Sequence, residues 1–531
     1  MKCHDIAPAE ATNILSSGGR WLIDRYWGSY VAFLRGRESH KTWIVRSPAG
    51  HLPCLSATFQ HLHIFFSSME DFAQLAVLSL SINWDYVAVY AACGRVQCRE
   101  TGINEVEELQ LGECKEIRAN GETRRFYWNP ADIAREAALE DVLQARTALR
   151  ETTRMCVDAW ASCHDQIIQR LSGGIDSSIL TGCLRSSARN PKVACVNFYT
   201  KGAFGDERQY ARIVAAAAEF DLIEVRRNSR LPLATLMNME RAASPFAYIL
   251  RLGWEDVETR LAKERKASAV FAGTLGDILF QMPPATPVAT EYLQRYGFSS
   301  EFLRVAMNAA QMDRVSLWSV IRAAFANGLR HPPTHWLPGE FQAREVMLLT
   351  PEAAEAFARE PLRFVHPWLH SVDGVPFGKL VQVSCLAFNS SYCDVLQSLD
   401  DPVLVHPFIS EPMVEVCLRI PSHLMVRDGW DRALAREAFA QELPDEIRKR
   451  TSKGSMDLWA RELVAHNATF IREALLDGIL VKERLVDRQK LEQCMPGVPT
   501  KNPLPIGCFL DYVCAEAWLR VWTENKCRAA A

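Results

Sequence analysis

The sequence predicts an α/β protein with two parts: a β-rich first domain over residues 1–130, then a doubly wound parallel sheet with a mainly helical C-terminal part over residues 131–531. Three observations carry this expectation. A chain of 531 residues exceeds what one hydrophobic core usually holds. Its front is a series of short β-type runs cut by Gly and Pro. From about residue 165 the pattern changes to short apolar runs alternating with amphipathic helical stretches, as in parallel strands joined by crossover helices.

In the first domain, Tyr30-Val31-Ala32-Phe33-Leu34, Thr42-Trp43-Ile44-Val45 and Ile64-Phe65-Phe66 read as strands, with a turn at Ser47-Pro48-Ala49-Gly50. The stretch from Ile133 to Asp158 predicts a linking helix, because Ala137, Leu139, Val142, Leu143 and Leu149 recur at three- and four-residue spacings among charges. Strands are then expected from Ile167 to Leu171, Val193 to Phe198, Leu222 to Val225 and Ser268 to Ala272. Between them, Leu180, Cys183 and Leu184 mark one helix face, and Tyr210, Ile213, Val214 and Ala217 another. Beyond Pro283-Pro284 the chain reads as mainly helical, interrupted at His331-Pro332-Pro333 and Gly374-Val375-Pro376. No internal repeat is visible.

Composition narrows the function class. Lys and Arg number 60 against 63 Asp and Glu, a formal net charge of -3. That balance gives no electrostatic case for nucleic acid or a membrane surface as partner. No apolar run approaches the ~18 residues of a spanning helix, and the N-terminal residues lack a secretory pattern. The 16 cysteines are scattered without a close C-x-x-C pair, so they read as reduced thiols of a cytoplasmic protein rather than a zinc or redox site.

The chemistry concentrates in Leu171-Ser172-Gly173-Gly174-Ile175-Asp176-Ser177-Ser178, between the first strand and helix of the alternating region. Two glycines let backbone N–H groups turn inward and form a concavity for anions. Ser177 and Ser178 stand at a helix start, where free N–H groups and the macrodipole favour phosphate. Asp176 among these donors suits a Mg²⁺ bridging phosphate oxygens. No G-x-x-x-x-G-K-[ST] is present, which excludes the Walker NTPases. The strand ending at Ala272 runs into Gly273-Thr274-Leu275-Gly276-Asp277, a second loop on the same sheet edge, with Asp277 as a second metal carboxylate.

The Ser172–Ser178 loop resembles the pyrophosphate-binding loop of the N-type ATP pyrophosphatases, and the layout resembles the asparagine synthetase family. Val196-Asn197-Phe198 and Asp206-Glu207-x-x-Tyr210-Ala211 are similar to the family's second strand and helix. Ala272 to Phe280 resembles its G-x-G-x-D-E-x-F segment, with Leu275 in place of a glycine and Ile278 in place of an acid. His406-Pro407-Phe408-Ile409, Glu415, Pro421, Arg436-Glu437-Ala438, Leu443-Pro444, Ile447 and Arg450 follow the family's C-terminal pattern, which closes on its catalytic lysine, here Lys453. Trp27-Gly28-Ser29-Tyr30, Arg46-Ser47-Pro48-Ala49-Gly50 and Phe66-Ser67-Ser68 resemble part of the family's glutaminase domain, of the N-terminal-nucleophile type. Lys2 stands where that domain carries its cysteine nucleophile and Cys3 falls one residue late, so a degenerate remnant is expected.

The resemblance implies an AMP-forming ligase that adenylates a carboxylate and joins it to an amine. Ser172, Gly173, Gly174, Asp176, Ser177, Ser178, Phe198, Gly273 and Thr274 would bind ATP, Asp176 and Asp277 would hold Mg²⁺, and Lys453 would be catalytic. Without a glutaminase the amine arrives on a substrate, which resembles the β-lactam synthetases and more closely the lasso peptide macrolactam synthetases. In that group a precursor peptide is cyclised through an Asp or Glu side chain, and a leader-peptide protease is an implied partner. Two other readings stay open: an asparagine synthetase using free ammonia, and an inactive binding scaffold, which Leu275 favours if its β carbon obstructs the second loop.

Overall fold

The computed structural model describes residues 6–36, 41–50, 52–94, 96–136, 138–202, 205–281, 284–328, 348–359, 363–389, 402–495 and 505–529. Lys2, Cys3, Ala137 and the His331-Pro332-Pro333 interruption lie outside these residues.

The front of the chain forms two antiparallel sheets. One has the order β1 (Val31–Arg35), β2 (Thr42–Arg46), β6 (Glu113–Arg118), β7 (Gly121–Phe126); the other the order β4 (Leu62–Phe66), β3 (Leu55–Phe59), β5 (Val106–Glu108). Strand alternation sorts the side chains of β2: Trp43 and Val45 join the main core, while Ile44 packs on the other face with Cys54 and Leu109. The helix Trp84–Cys93 lies outside the sequence expectation for this part. It is buried at every position from Tyr86 to Cys93, as an all-apolar helix must be. It shares a core with the C-terminal helix Ile506–Ala529, whose Trp518 is fully buried. Gly102, in the loop beyond helix Trp84–Cys93, makes room for Trp518, since a β carbon there would come within 2.6 Å of its ring. One hydrophobic core therefore crosses the expected boundary at residue 130.

The second part is built on a five-stranded parallel sheet with the order β10-β9-β8-β11-β12, where β8 is Gln166–Arg170, β9 Lys192–Tyr199, β10 Asp221–Arg226, β11 Ala269–Phe271 and β12 Val403–Val405. Helices cover both faces. Ile167, Cys195, Ala269, Phe271 and Val405 pack with the helices Val142–Ala161, Ile175–Arg185 and Arg208–Ala218. Ile168, Ala194, Val196, Val270 and Leu404 pack with Leu261 and Ala262 of the helix Glu255–Arg265. Both faces are apolar, as a covered parallel sheet requires. The chain starts in the middle at β8, winds outward to β10, then returns to β11 on the other side.

Two further elements differ from expectation. The linking helix begins at Val142 rather than Ile133, because Asp141 caps it by accepting the Gln144 N–H at 2.7 Å. Asn129 caps a separate short helix, Pro130–Ile133, in the same way. Strand β12 lies within the stretch expected to be mainly helical, and at three residues it is too short for periodicity to reveal. Among the described residues, no helix is long and apolar enough to cross a membrane.

The two parts are joined beside the helix Glu411–Arg419, where Trp128 Nε1 donates to Glu415 Oε1 at 2.9 Å and the Trp27 ring meets the Trp160 ring edge-on at 6.2 Å. Glu411 sits at this junction 8% exposed, with Oε2 buried and unpartnered. Burial, reinforced by the Glu415 carboxylate, pushes its carboxyl up to about 8. The folded state thus keeps a proton that the unfolded chain has already lost, so stability should fall as pH rises from the ordinary carboxylate range to about 8. Glu411→Gln should remove this decline: melting temperatures of variant and parent should agree near pH ~4 and diverge in the variant's favour as pH rises toward about 8.

Candidate active site at the switch point of the sheet

Strand order reverses between β8 and β11, and their carboxyl ends open a crevice where ligands of such sheets bind. A cavity of about 540 Å³ lies there, lined by Ser172, Asp176, Ser177, Thr274, Asp277 and Lys453 among others. Phe198 and Gly273 also face it.

The first loop is shaped by its glycines and serines. Gly173 has φ +78°, and a β carbon there would meet Tyr210 Cβ at 2.6 Å and the Ala211 nitrogen at 2.7 Å. Ser172 Oγ accepts the Gly174 N–H at 3.2 Å and lies 3.0 Å from Ser177 Oγ. The helix Ile175–Arg185 then starts without a side-chain cap, so its first-turn N–H groups face the cavity end of the loop. Ser178 differs from the expectation that it binds phosphate. It is fully buried, does not line the cavity, and donates its hydroxyl to the Gly174 carbonyl at 2.7 Å, which makes it a staple of the loop. Gly174 likewise shapes the turn as the residue before the helix.

The second loop lies directly against the first. A β carbon on Gly273 would sit 3.1 Å from Asp176 C and Ser177 N, and one on Gly276 would sit 2.7 Å from Asp176 Cβ. Leu275 has φ +63°, a left-handed conformation costing about 1–2 kcal/mol for a side chain of this kind. Its side chain is 6% exposed and packs into the core, and the cavity remains open beside it. Asp277 follows in the one-turn helix Gly276–Leu279.

Charges from four segments meet here. Arg432 Nη1 donates to Asp176 Oδ2 at 2.9 Å, and Lys453 Nζ donates to Asp277 Oδ2 at 3.0 Å. Asp431 holds Arg432 in place and also pairs with Arg436. Burial pushes the Asp176 carboxyl up; Arg432 opposes this and Asp277 adds to it. Asp176 Oδ1 is buried without a hydrogen-bond partner. An orphaned carboxylate oxygen beside a second aspartate fits Mg²⁺, which takes one or two carboxylates and completes its shell with phosphate and water. Among the described residues no cluster of three or more His, Cys, Asp or Glu could hold a metal by protein ligands alone.

Sequence reasoning passed over three residues that assemble the site. Arg432 offered no motif of its own. Glu207 and Arg450 stood in motifs without a role, and they tie the lysine segment to the first loop. Arg450 donates to the Gly173 carbonyl at 2.9 Å, pairs with Glu207, and lies over the Tyr210 ring at 3.7 Å. Glu207 also accepts the Gly454 N–H at 2.9 Å, one residue beyond Lys453. At the far end of the cavity, Arg227 lies against the rings of Phe198 and Trp254, and Arg170 pairs with Glu258. Burial and the neighbouring Arg170 draw the Arg227 guanidinium down to about 10. Gly173→Ala should expel the helix Arg208–Ala218 from this contact. ATP binding measured by calorimetry should weaken at least ~10-fold, because the added methyl must displace backbone as well as adopt a strained φ.

The geometry agrees with what sequence comparison finds. Residues 148–369 and 403–520 match the family described as asparagine synthase. No curated protein matches. Among solved structures, the U34-tRNA thiolase NcsA from Methanococcus maripaludis, solved with its [4Fe-4S] cluster, is 13% identical. That match covers 45% of this chain and 80% of the thiolase, at a TM-score of 0.19. With most of its length matched and a parallel sheet of the expected kind, the chain belongs to the asparagine synthase family and is an ATP-using carbon–nitrogen ligase.

Proposed function

We propose that this ligase activates an Asp or Glu side chain of a precursor peptide as its adenylate and closes a macrolactam with the peptide's own amine, as lasso peptide cyclases do. The observation that carries the reading is the meeting of the Ser172–Ser177 loop, Asp176, Asp277 and Lys453 in one cavity. A carboxylate cannot condense with an amine in water because oxide is too poor a leaving group. Attack of the carboxylate oxygen on the α-phosphorus of ATP breaks the bond to pyrophosphate, which the first loop's N–H groups and Ser172 and Ser177 hydroxyls receive. Asp176 and Asp277 would hold Mg²⁺, which supplies neutralising charge for pyrophosphate. Arg432 opposes the upward push of burial on Asp176 and holds its carboxylate in place. Lys453 can move from Asp277 to the phosphate and then to the tetrahedral oxyanion. The amine attacks the acyl carbon, AMP leaves, and one proton is released. An α-amine titrates near ~8, so only modest base help is required.

The source of the amine is supported by the first domain. Its described cysteines, Cys54, Cys93, Cys98 and Cys114, are all buried, and burial pushes Cys54 up to about 11 and Cys98 up to about 12. Neither Cys54 nor Cys98 is a nucleophilic thiolate at neutral pH. Arg46 is equally committed, to Glu108 and the carbonyls of Leu52 and Leu109. The domain acts as a structural and docking element, with a leader-peptide protease as its expected partner, in the cytoplasm where ATP and Mg²⁺ are available.

Full-length protein with ATP, Mg²⁺ and the processed peptide should release AMP and pyrophosphate and yield a product lighter by one water in mass spectrometry. Asp176→Ala should abolish AMP release, and Lys453→Met should lower it by roughly 100-fold or more, as loss of an oxyanion donor does. AMP formation that needs only aspartate and ammonium would assign an asparagine synthetase instead. Failure to form AMP with any carboxylate would assign the binding scaffold.

A further inference from the structure

The segment from Leu275 to Gln281 carries Asp277 between two non-glycine residues of positive φ, +63° at Leu275 and +65° at Gln281. Such residues persist only where their surroundings over-determine the backbone. The helix between them, Gly276–Leu279, has a single turn, and the Gln281 N–H reaches back to Ile278 O only at 3.3 Å. One side chain binds its last two carbonyls. Gln382, on the helix Phe377–Asn389, donates both amide hydrogens, to Ile278 O and to Leu279 O, each at 3.0 Å. Its own oxygen accepts from Lys379 Nζ at 3.0 Å, and the same ammonium donates to Cys417 O at 2.9 Å.

Lys379 is fully buried and Gln382 is 2% exposed, so neither reaches substrate. Burial draws the Lys379 ammonium down to about 8, with Glu291 opposing. The amide has one workable orientation. Turned over, its oxygen would face two carbonyl oxygens and its nitrogen an ammonium. The backbone N–H of Arg432 ties down the far end of the segment, donating to Gln281 O at 3.2 Å.

We propose that Gln382, oriented by Lys379, is a positioning residue that holds the Asp277 turn at the distance from Asp176 that metal binding requires. The inference rests on the reading of Asp176 and Asp277 as the metal carboxylates. It assigns a role in metal affinity to a buried Lys–Gln pair that touches neither metal nor nucleotide.

The test titrates Mn²⁺ into full-length protein containing α,β-methylene-ATP, with free Mn²⁺ read by electron paramagnetic resonance and folding followed by thermal unfolding. Gln382→Leu should raise the Mn²⁺ dissociation constant by roughly 10- to 100-fold, as loss of outer-shell support does. Lys379→Met should raise it less, and Asp277→Asn should abolish tight binding. A purely structural role would lower the melting temperature and leave the dissociation constant of the folded protein unchanged. If Asp277→Asn loses Mn²⁺ while Gln382→Leu binds like the parent, the positioning role is overturned and the site reading stands. If Asp277→Asn binds like the parent, the site reading falls and takes this inference with it. Should Gln382→Leu fail to fold, Lys379→Met decides alone, and an unchanged constant there overturns the proposal.

Discussion

The site depends on backbone packing against backbone at the switch point of the sheet. The turn after β11 lies so close to the start of the helix after β8 that a β carbon on Gly276 would clash with Asp176 Cβ at 2.7 Å, and one on Gly273 would press on Asp176 and Ser177 at 3.1 Å. This contact brings two aspartates from distant parts of the chain to one crevice. It follows from strand order: β8 and β11 are hydrogen-bonded neighbours although about a hundred residues separate them, so the loops at their ends must touch. Everything chemical in the cleft is added to that approach.

Those additions are mostly cations from the C-terminal half. Arg432, Lys453 and Arg450 reach the two loops from segments beyond residue 430, and each meets a carboxylate: Asp176, Asp277 and Glu207 in turn. The arrangement balances charge locally, which lets acidic groups sit partly buried without metal-only ligation. It also couples the parts. Glu207 grips both Arg450 and the backbone of Gly454, so the lysine segment and the first loop share one anchor. The cost falls on Leu275, which holds a left-handed conformation where a glycine would be free of strain.

How much of this was legible in the sequence depended on the range of the signal. The glycine–serine loop, the strand–helix alternation and the second loop's aspartate are local patterns with physical causes, and the sheet and cleft follow them closely. Ser178 shows the limit. A serine at a helix start suits phosphate and the loop's own carbonyl equally well, and only packing decides between them. Strand β12 escaped because three residues carry no period. Helix Trp84–Cys93 escaped because its apolar residues run all round it, leaving neither a two- nor a 3.6-residue repeat. Arg432, Glu207 and Gln382 act through contacts between residues far apart in sequence, which no window can contain.

Activation of the carboxylate at the α-phosphorus, with pyrophosphate leaving against the first loop, leaves an isotopic trace. The most direct measurement uses a peptide substrate whose reacting carboxylate carries ¹⁸O and follows the label into phosphorus products by ³¹P NMR and mass spectrometry. AMP should acquire one labelled oxygen, and pyrophosphate should remain unlabelled. Label appearing in inorganic phosphate, with ADP as the nucleotide product, would contradict activation at the α-phosphorus.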